Sequence, residues 1–293
     1  MLKPIARDGH VYTPVGNLFR PADQSPVDFK LRGLCDTSIF NGFCSVHDTQ
    51  LFSPLENHPF ACTSEQIFLH AFRAAAKESY VKQIQAQGPM TLEMIQKIHC
   101  LPDVELSETM KLHLAASMRG AEDIARVKAR LDHYFLANDW SRLVTTVLPL
   151  DNLPSIVANF VFAPDFDFEG RYLQDFEDFS RDLEMIFVTI TPAEGRGYAL
   201  FSHFDTATRV PRDFISSLLH AQDLSSALLW FVLGHAENIA ISPAWFDGLR
   251  DTKRKLLIDH FRSNANPFDA KINQLKDYPH KFANWNPNRS FQI

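Results

Sequence analysis

Reactive side chains concentrate between residues 42 and 56, in the stretch GFCSVHDTQLFSPLE. Cys44 and His47 are three positions apart, and Asp48 follows the histidine directly. A thiolate and an imidazole at this spacing reach one metal ion when the backbone turns between them. The neighbouring carboxylate would either orient the imidazole or supply an oxygen ligand. The stretch therefore predicts a metal site or a catalytic site.

Zinc is the metal that this pair of ligand types suits best. We predict that Cys44 and His47 bind zinc, with Cys35 as a third ligand from nine positions upstream. Asp48 and Glu56 are predicted catalytic acids, because a carboxylate beside a metal orients or deprotonates the attacking water. The alternative is a polar turn pinned to the core, in which the thiol is a small buried side chain and the imidazole satisfies turn amides.

A second polar cluster lies near the C-terminus, in GHAENIAISPAWF at 234–246. If a helix that begins at Leu224 ends here, Glu237 and Asn238 lie at its C-terminal end, before a short connection to the next helix. A carboxylate at that end is disfavoured by the helix dipole, which indicates a cation or a donor nearby. We predict Glu237 and Asn238 as catalytic residues. The alternative is that they only bond the backbone of the helix junction.

The two clusters resemble motifs that occur together in a group of uncharacterised bacterial proteins. The first motif, GFC-x2-HD-x3-F-x-P-(L/I)-E, is matched by Gly42, Phe43, Cys44, His47, Asp48, Phe52, Pro54, Leu55 and Glu56. The second, E-N-x3-S-P-x-W-(F/W), is matched by Glu237, Asn238, Ser242, Pro243, Trp245 and Phe246. The resemblance implies a bacterial source and one composite site formed by both motifs. It carries no activity with it.

Helical periodicity begins at residue 63. Residues 1–62 contain several prolines and turn formers without a sustained period, so we predict ordered loops with short strands there. Thr63 and Gln66 have the spacing of a capping box, which marks the start of a helix. The helices predicted in this part of the chain run from 63 to 87, from 91 to 99 and from 107 to 138.

Alternating hydrophobicity replaces the helical period between residues 142 and 204. SIVANFVF at 155–162 alternates cleanly, and MIFVTIT at 185–191 is rich in β-branched and aromatic residues. The turn PAEGRG connects the latter to YALFSHF. Short gaps between these segments predict an antiparallel meander of about four strands. Further helices are predicted at 211–221, 224–237 and 243–263.

The chain is therefore predicted to be an α+β protein with a loop-rich N-terminal segment, helices, a central antiparallel sheet of about four strands and C-terminal helices. Residues 1–140 contain the motif region and a helical lobe, 141–205 the meander, and 206–293 the C-terminal helical lobe and tail. With 293 residues, 45% of them hydrophobic, the chain has enough apolar material for these segments to pack as one unit.

Composition and charge limit the partners. The net charge of −6 argues against a general nucleic-acid-binding protein. The tail 277–293 mixes Lys281 and Arg289 with aromatic residues such as Trp285; it offers a local surface for nucleic acid or a partner, although packing against its own domain is favoured. The apolar run at 227–234 is too short to cross a membrane, and four cysteines without regular spacing favour a reducing compartment. We predict a cytoplasmic protein.

Three functions fit these residues. The favoured one is a metal-assisted hydrolase of unknown substrate, in which the N-terminal motif binds zinc and Glu237 or a motif carboxylate activates water. The second is a non-catalytic interaction protein whose zinc staples the N-terminal region. The third is a cysteine hydrolase with Cys44 as the nucleophile and His203 or His235 as the base.

Overall fold

A computed structural model describes most of the chain. The described ranges are 2–16, 27–37, 42–86, 108–176, 178, 180–265 and 275–293. The helix predicted at 91–99 lies outside them. Within the described ranges, no helix combines the length and the apolar character needed to cross a membrane.

Among the described residues, an antiparallel sheet of eight strands forms the centre of the protein, in the order β2-β1-β7-β4-β5-β6-β3-β8. The strands are β1 (His10–Gly16), β2 (Val27–Gly33), β3 (Leu143–Leu150), β4 (Ile156–Phe162), β5 (Ile186–Ala193), β6 (Arg196–Phe204), β7 (Ile239–Ile241) and β8 (Phe291–Gln292). Strands from all three predicted segments therefore share one sheet.

The prediction of about four strands was wrong, although β3 to β6 form the predicted meander. The turn between β5 and β6 has Glu194 and Gly195 at φ angles of 49° and 79°, the left-handed pair that a tight hairpin requires. Of the other four strands, β1 and β2 lie in residues 1–62, where short strands were predicted outside the meander, and β7 and β8 lie in the segment predicted as a helical lobe and tail. The three residues of β7 are too few to show a period, yet β7 joins the β1–β2 hairpin to β4.

Eight helices appear in the described ranges. They are α1 (Ser45–Leu51), α2 (Ser53–Glu56), α3 (Ser64–Ala86), α4 (Glu108–Leu136), α5 (Val210–Leu219), α6 (Leu224–His235), α7 (Pro243–Asp247) and α8 (Asp251–Ala265). The N-terminal motif is thus helical from Ser45 rather than irregular. The helix predicted to reach Glu237 ends at His235, and the helix predicted at 243–263 is interrupted after Asp247.

The two faces of the sheet are covered by different helices, which gives three layers. Successive side chains of a strand point to opposite faces, so neighbours in one strand join different cores. In β5, Phe187 belongs to the core formed with Phe68 of α3 and Ile124 of α4. The next residue, Val188, belongs to the larger core that contains Phe231 of α6 and residues of α5 and α8.

The N-terminal end of α3 attaches the motif region to this framework. The predicted cap is present, because the backbone N–H of Gln66 donates to Thr63 Oγ1 at 3.2 Å. The buried side chain of Gln66 bonds back to the preceding loop: it donates to the carbonyls of Pro54 and Pro59 and accepts from the N–H of Ala61. One glutamine therefore fixes α2 and its loop against α3.

A polar layer lies between α3 and the sheet. The amide of Asn159 on β4 donates to the carbonyl of His70 at 3.0 Å and to Thr189 Oγ1 at 2.9 Å. His70 is 3% exposed, and its Nδ1 has no hydrogen-bond partner among the described residues. Burial, together with the positive charge of Arg73, lowers the pKa of His70 to about 3. The imidazole is therefore neutral in the folded protein.

The C-terminal tail packs against its own domain, as favoured from the sequence. Trp285 is fully buried and its indole N–H donates to Ser155 Oγ at 3.2 Å. Phe282 is also buried, and its backbone N–H donates to Ser226 Oγ on α6. These two rings are therefore not part of a stacking surface for nucleic acid.

His70 gives the fold a defined dependence on pH. An unfolded histidine has a pKa of about 6.5, so the unfolded chain binds a proton at His70 below that pH while the folded chain does not. The unfolding free energy is therefore unaffected by His70 above about pH 6.5. As the pH falls from there toward 3, proton binding to the unfolded chain lowers the unfolding free energy by up to about 1.4 kcal/mol per pH unit. We expect His70→Leu to flatten the dependence of unfolding free energy on pH between 6.5 and 4.

Urea unfolding at several pH values measures this slope. His133→Leu, at an exposed position of α4, is the matched control and should keep the wild-type slope. Equal slopes in wild type and His70→Leu would show that the buried imidazole does not set the acid sensitivity.

Candidate functional site

The thiol and the imidazole of the N-terminal motif lie together on the first turn of α1. Cys44 is the residue that precedes the helix, and its Sγ lies 3.3 Å from His47 Nδ1. Both side chains are exposed. The separation is that of a thiol–imidazole hydrogen bond, and it is also compatible with two ligands of one tetrahedral ion.

The predicted zinc ligands do not form a complete set. No three histidine, cysteine, aspartate or glutamate side chains of the described ranges are placed to hold a metal ion. Cys35 is exposed in a short 3-10 helix after β2, and neither it nor Asp48 completes a group with Cys44 and His47. Two of the three predicted ligands are therefore adjacent, and the zinc ion itself remains a prediction.

Glu56, a predicted catalytic acid, forms an ion pair with α3. Its Oε1 accepts a hydrogen bond from Arg73 Nη2 at 2.6 Å. The guanidinium of Arg73 also lies 4.0 Å from the centre of the Phe52 ring. These contacts fix α2 on α3, a positioning role for Glu56 that the sequence did not indicate.

The C-terminal junction contacts the same helix about one turn further along. Asn238 lies between α6 and β7, and its main-chain carbonyl accepts from the N–H of Asn159 at 3.4 Å. Its side-chain amide donates to the carbonyl of Asn159 at 3.3 Å, which turns Oδ1 toward α3. That oxygen accepts a hydrogen bond from Lys77 Nζ at 2.6 Å. The exposed carboxylate of Glu237 precedes this contact in the chain.

Lys77 is half-buried at this contact, and its pKa is shifted. Burial lowers the pKa of Lys77 to about 8, and the nearby negative charges of Glu78 and Glu237 only partly oppose the shift. Burial likewise raises the pKa of Glu78, with Lys82 acting in the opposite direction and Glu237 adding to the increase. We define Lys77, Glu78, Glu237 and Asn238 as the lysine cluster. Perturbed charges of this kind concentrate at functional sites.

Both sequence motifs therefore reach one helix. The N-terminal motif bonds Arg73 through Glu56, and the C-terminal motif bonds Lys77 through Asn238. Residues four positions apart on a helix are neighbours on its surface. The structure thus shows that each motif contacts α3, at positions four apart, while the composite site formed by the two motifs remains a prediction.

Arg73 and Lys77 were missed by the sequence analysis. Their spacing gives a weak signal, because two cations on the same face of a predicted helix are visible in FRAAAKES. An Arg and a Lys at this spacing usually belong to a solvated face. Only the fold shows that Lys77 is half-buried, since its partner Asn238 is 161 positions away in the chain.

The bases predicted for a cysteine hydrolase lie on the wrong side of the sheet. His235 packs against Phe162 and Phe231, which belong to the core opposite α3. His203 is buried, and alternation along β6 places it on the same face as Phe201 of that core. The motif around Cys44 packs on the α3 face, so neither histidine serves as its base.

Compared with protein-family models, with curated proteins and with solved structures, the chain matches none. The site is therefore defined by its own geometry: a half-buried lysine on α3, fixed by Asn238 and flanked by the carboxylates of Glu78 and Glu237.

Proposed function

We propose that the protein is a hydrolase whose site is the lysine cluster at the exposed end of the polar layer under α3. The contact that carries this proposal is the 2.6 Å hydrogen bond from Lys77 Nζ to Asn238 Oδ1, beside the exposed carboxylate of Glu237. A base, a cation and an oriented amide in one place are the groups that activation of water requires.

Glu237 is the general base in this proposal. Its carboxylate is open to solvent, so it can accept a proton from a water molecule that attacks the substrate. The ammonium form of Lys77 then stabilises the negative charge that develops on the substrate oxygen. Glu237 returns the proton to the leaving group, which completes hydrolysis. Asn238 keeps the ammonium in place and does not exchange protons.

The energetic cost of the lysine supports a functional role. A lysine whose pKa is lowered by burial destabilises the folded state at neutral pH, because its charge is partly removed from water. A side chain kept only for packing would be apolar at this position, since replacement of buried ions by apolar groups is often stabilising. The retained charge is consistent with use in catalysis.

The second candidate is an interaction protein whose N-terminal region is stapled by zinc. The observation in its favour is the 3.3 Å separation of Cys44 Sγ and His47 Nδ1, which suits two ligands of one ion. A complete site needs at least one more ligand than the described groups supply. We derive no step of the hydrolytic reaction from zinc.

Glu237→Gln tests the base. The two side chains have nearly the same volume, so the melting temperature should change by only a few degrees, while turnover falls by more than about tenfold. Turnover is measured on chromogenic esters, amides and phosphate esters that the wild-type protein hydrolyses. The matched control is Glu194→Gln in the exposed β5–β6 turn, which should keep full activity. Equal activity of Glu237→Gln and the control contradicts the assignment.

Lys77→Met separates a functional lysine from a structural one. We expect turnover to be lost while the melting temperature at pH 7 stays equal or rises, because the substitution removes a half-buried charge. The wild-type protein should gain stability relative to the variant from about pH 8 to about pH 10.5, where only its unfolded state binds the proton. Lys128→Met, which removes an ion pair with Asp132 on α4, is the control and should keep full turnover. A large loss of stability in Lys77→Met indicates a structural role.

Elemental analysis tests the second candidate. A zinc staple predicts about one zinc per chain, lost in Cys44→Ala and in His47→Ala, with a lower melting temperature in both variants. Cys62→Ala, a half-buried cysteine outside the motif, is the control and should keep the metal. Zinc-free protein with the same melting temperature before and after chelation contradicts this candidate.

A further inference from the structure

Strand β2 forms one end of the sheet, and part of its outer edge is open. It pairs with β1 over its whole length, and no strand of the described ranges pairs with its other side. Lys30, Leu31 and Arg32 are exposed in succession. Leu31 is a large apolar side chain, yet it remains 47% exposed. An edge strand of this kind is a place where another strand can be added.

Side chains of the protein itself close the two ends of this edge. At the first end, Arg262 of α8 donates through Nε to the carbonyl of Val27 at 3.2 Å. At the other end, Thr37 Oγ1 donates to the carbonyl of Gly33 at 2.7 Å. The open part of the edge is therefore centred on Leu31, between these two bonds.

The main chain of Leu31 is directed away from β1. In an antiparallel pair, residues that bond the neighbouring strand alternate with residues whose N–H and C=O point away from it. Pro14 of β1 lies opposite Phe29 and has no N–H to donate. The bonded pair next to it is therefore Thr13–Lys30, and by alternation the groups of Leu31 point outward. Leu31 thus presents an N–H and a C=O to a further strand.

The charges on either side of Leu31 decide which strand fits the edge. Side chains alternate along a strand, so Lys30 and Arg32 lie on one face and Leu31 on the other. Neither cation forms an ion pair within the described residues. An added strand places alternate residues opposite the two cations and the residue between them beside Leu31. Opposite charges across a strand pair are favourable, so an acid–apolar–acid sequence is complementary to this edge.

A second copy of the chain is a poor partner for the same edge. Antiparallel pairing of two such edges around Leu31 places Lys30 or Arg32 of one copy opposite a cation of the other. Like charges directly opposite each other destabilise a strand pair. Pairing shifted toward Asp28 would supply an opposite charge, but Arg262 occupies that end of the strand. The two cations therefore disfavour self-association and favour an acidic segment.

We propose that the open edge of β2 binds an extended acidic segment of a partner protein as an added antiparallel strand. The main chain of the segment bonds Leu31, and two of its carboxylates pair with Lys30 and Arg32. The apolar residue between those carboxylates covers the Leu31 side chain. This interaction goes beyond the proposed hydrolysis and does not depend on the lysine cluster.

Fluorescence anisotropy with two labelled peptides tests the charge preference on the whole protein. One peptide alternates glutamate and valine over about eight residues, within the usual range of strand lengths, and the other has lysine in place of each glutamate. We expect the glutamate peptide to bind at least about tenfold more tightly, with an affinity that falls as salt is added. Equal affinities for the two peptides overturn the proposal.

Charge reversal at the edge is the most informative change. In the double variant Lys30→Glu, Arg32→Glu the preference should invert, so that the lysine peptide binds at least about tenfold more tightly than the glutamate peptide. The double variant Arg196→Glu, Arg289→Glu changes the net charge equally at exposed positions outside β2 and should keep the wild-type preference. An unchanged preference in the edge variant, or an inverted one in the control, overturns the proposal.

Leu31→Pro tests whether the peptide is added as a strand. Proline removes the outward N–H, which the pairing with β1 does not use, so circular dichroism should match that of Leu31→Ala. We expect the glutamate peptide to bind Leu31→Pro about fivefold more weakly than Leu31→Ala, which keeps the N–H. Equal affinities contradict strand addition. Sedimentation that shows a wild-type dimer, lost in the charge-reversed edge variant, assigns the edge to a second copy and also overturns the proposal.

Discussion

Asn159 is the residue on which the arrangement of the site depends. It lies within β4, and its amide bonds the carbonyl of His70 on α3 and the hydroxyl of Thr189 on β5. Its main chain bonds Asn238 through both the N–H and the carbonyl. One buried residue therefore joins the helix, the sheet and the C-terminal junction. Loss of such a bond leaves a buried polar group unpaired, at a cost of about 1–3 kcal/mol.

The two faces of the sheet make different contributions to stability and chemistry. The face under α5, α6 and α8 is packed with aromatic and aliphatic side chains such as Phe160 and Phe231, which bury apolar area efficiently. The face under α3 contains Asn159 and Thr189, and also the bonded pair Thr145–Ser202. Polar groups there gain little from burial. The apolar core of the opposite face offsets that deficit and allows a half-buried lysine to be retained.

Local patterns predicted the elements that are set by neighbouring residues. The cap at Thr63 follows from sequence spacing, and so does the end of α4 before Asn138, whose φ of 51° interrupts a helix. The contact between Cys44 and His47 is of the same kind, because three positions on one helical turn bring two side chains together. The third ligand, Cys35, required a long-range contact, which spacing along the chain does not determine.

The charge state of Lys77 is a property of the tertiary structure. The sequence around it, AAAKES, would give an ordinary exposed lysine on an isolated helix. Its burial follows from the docking of α3 on β4 and from the junction before β7, where Asn238 contacts Lys77. Both motifs contact α3, through Glu56 and Asn238. Lys77, whose pKa is lowered by burial, lies on α3, and α3 belongs to neither motif.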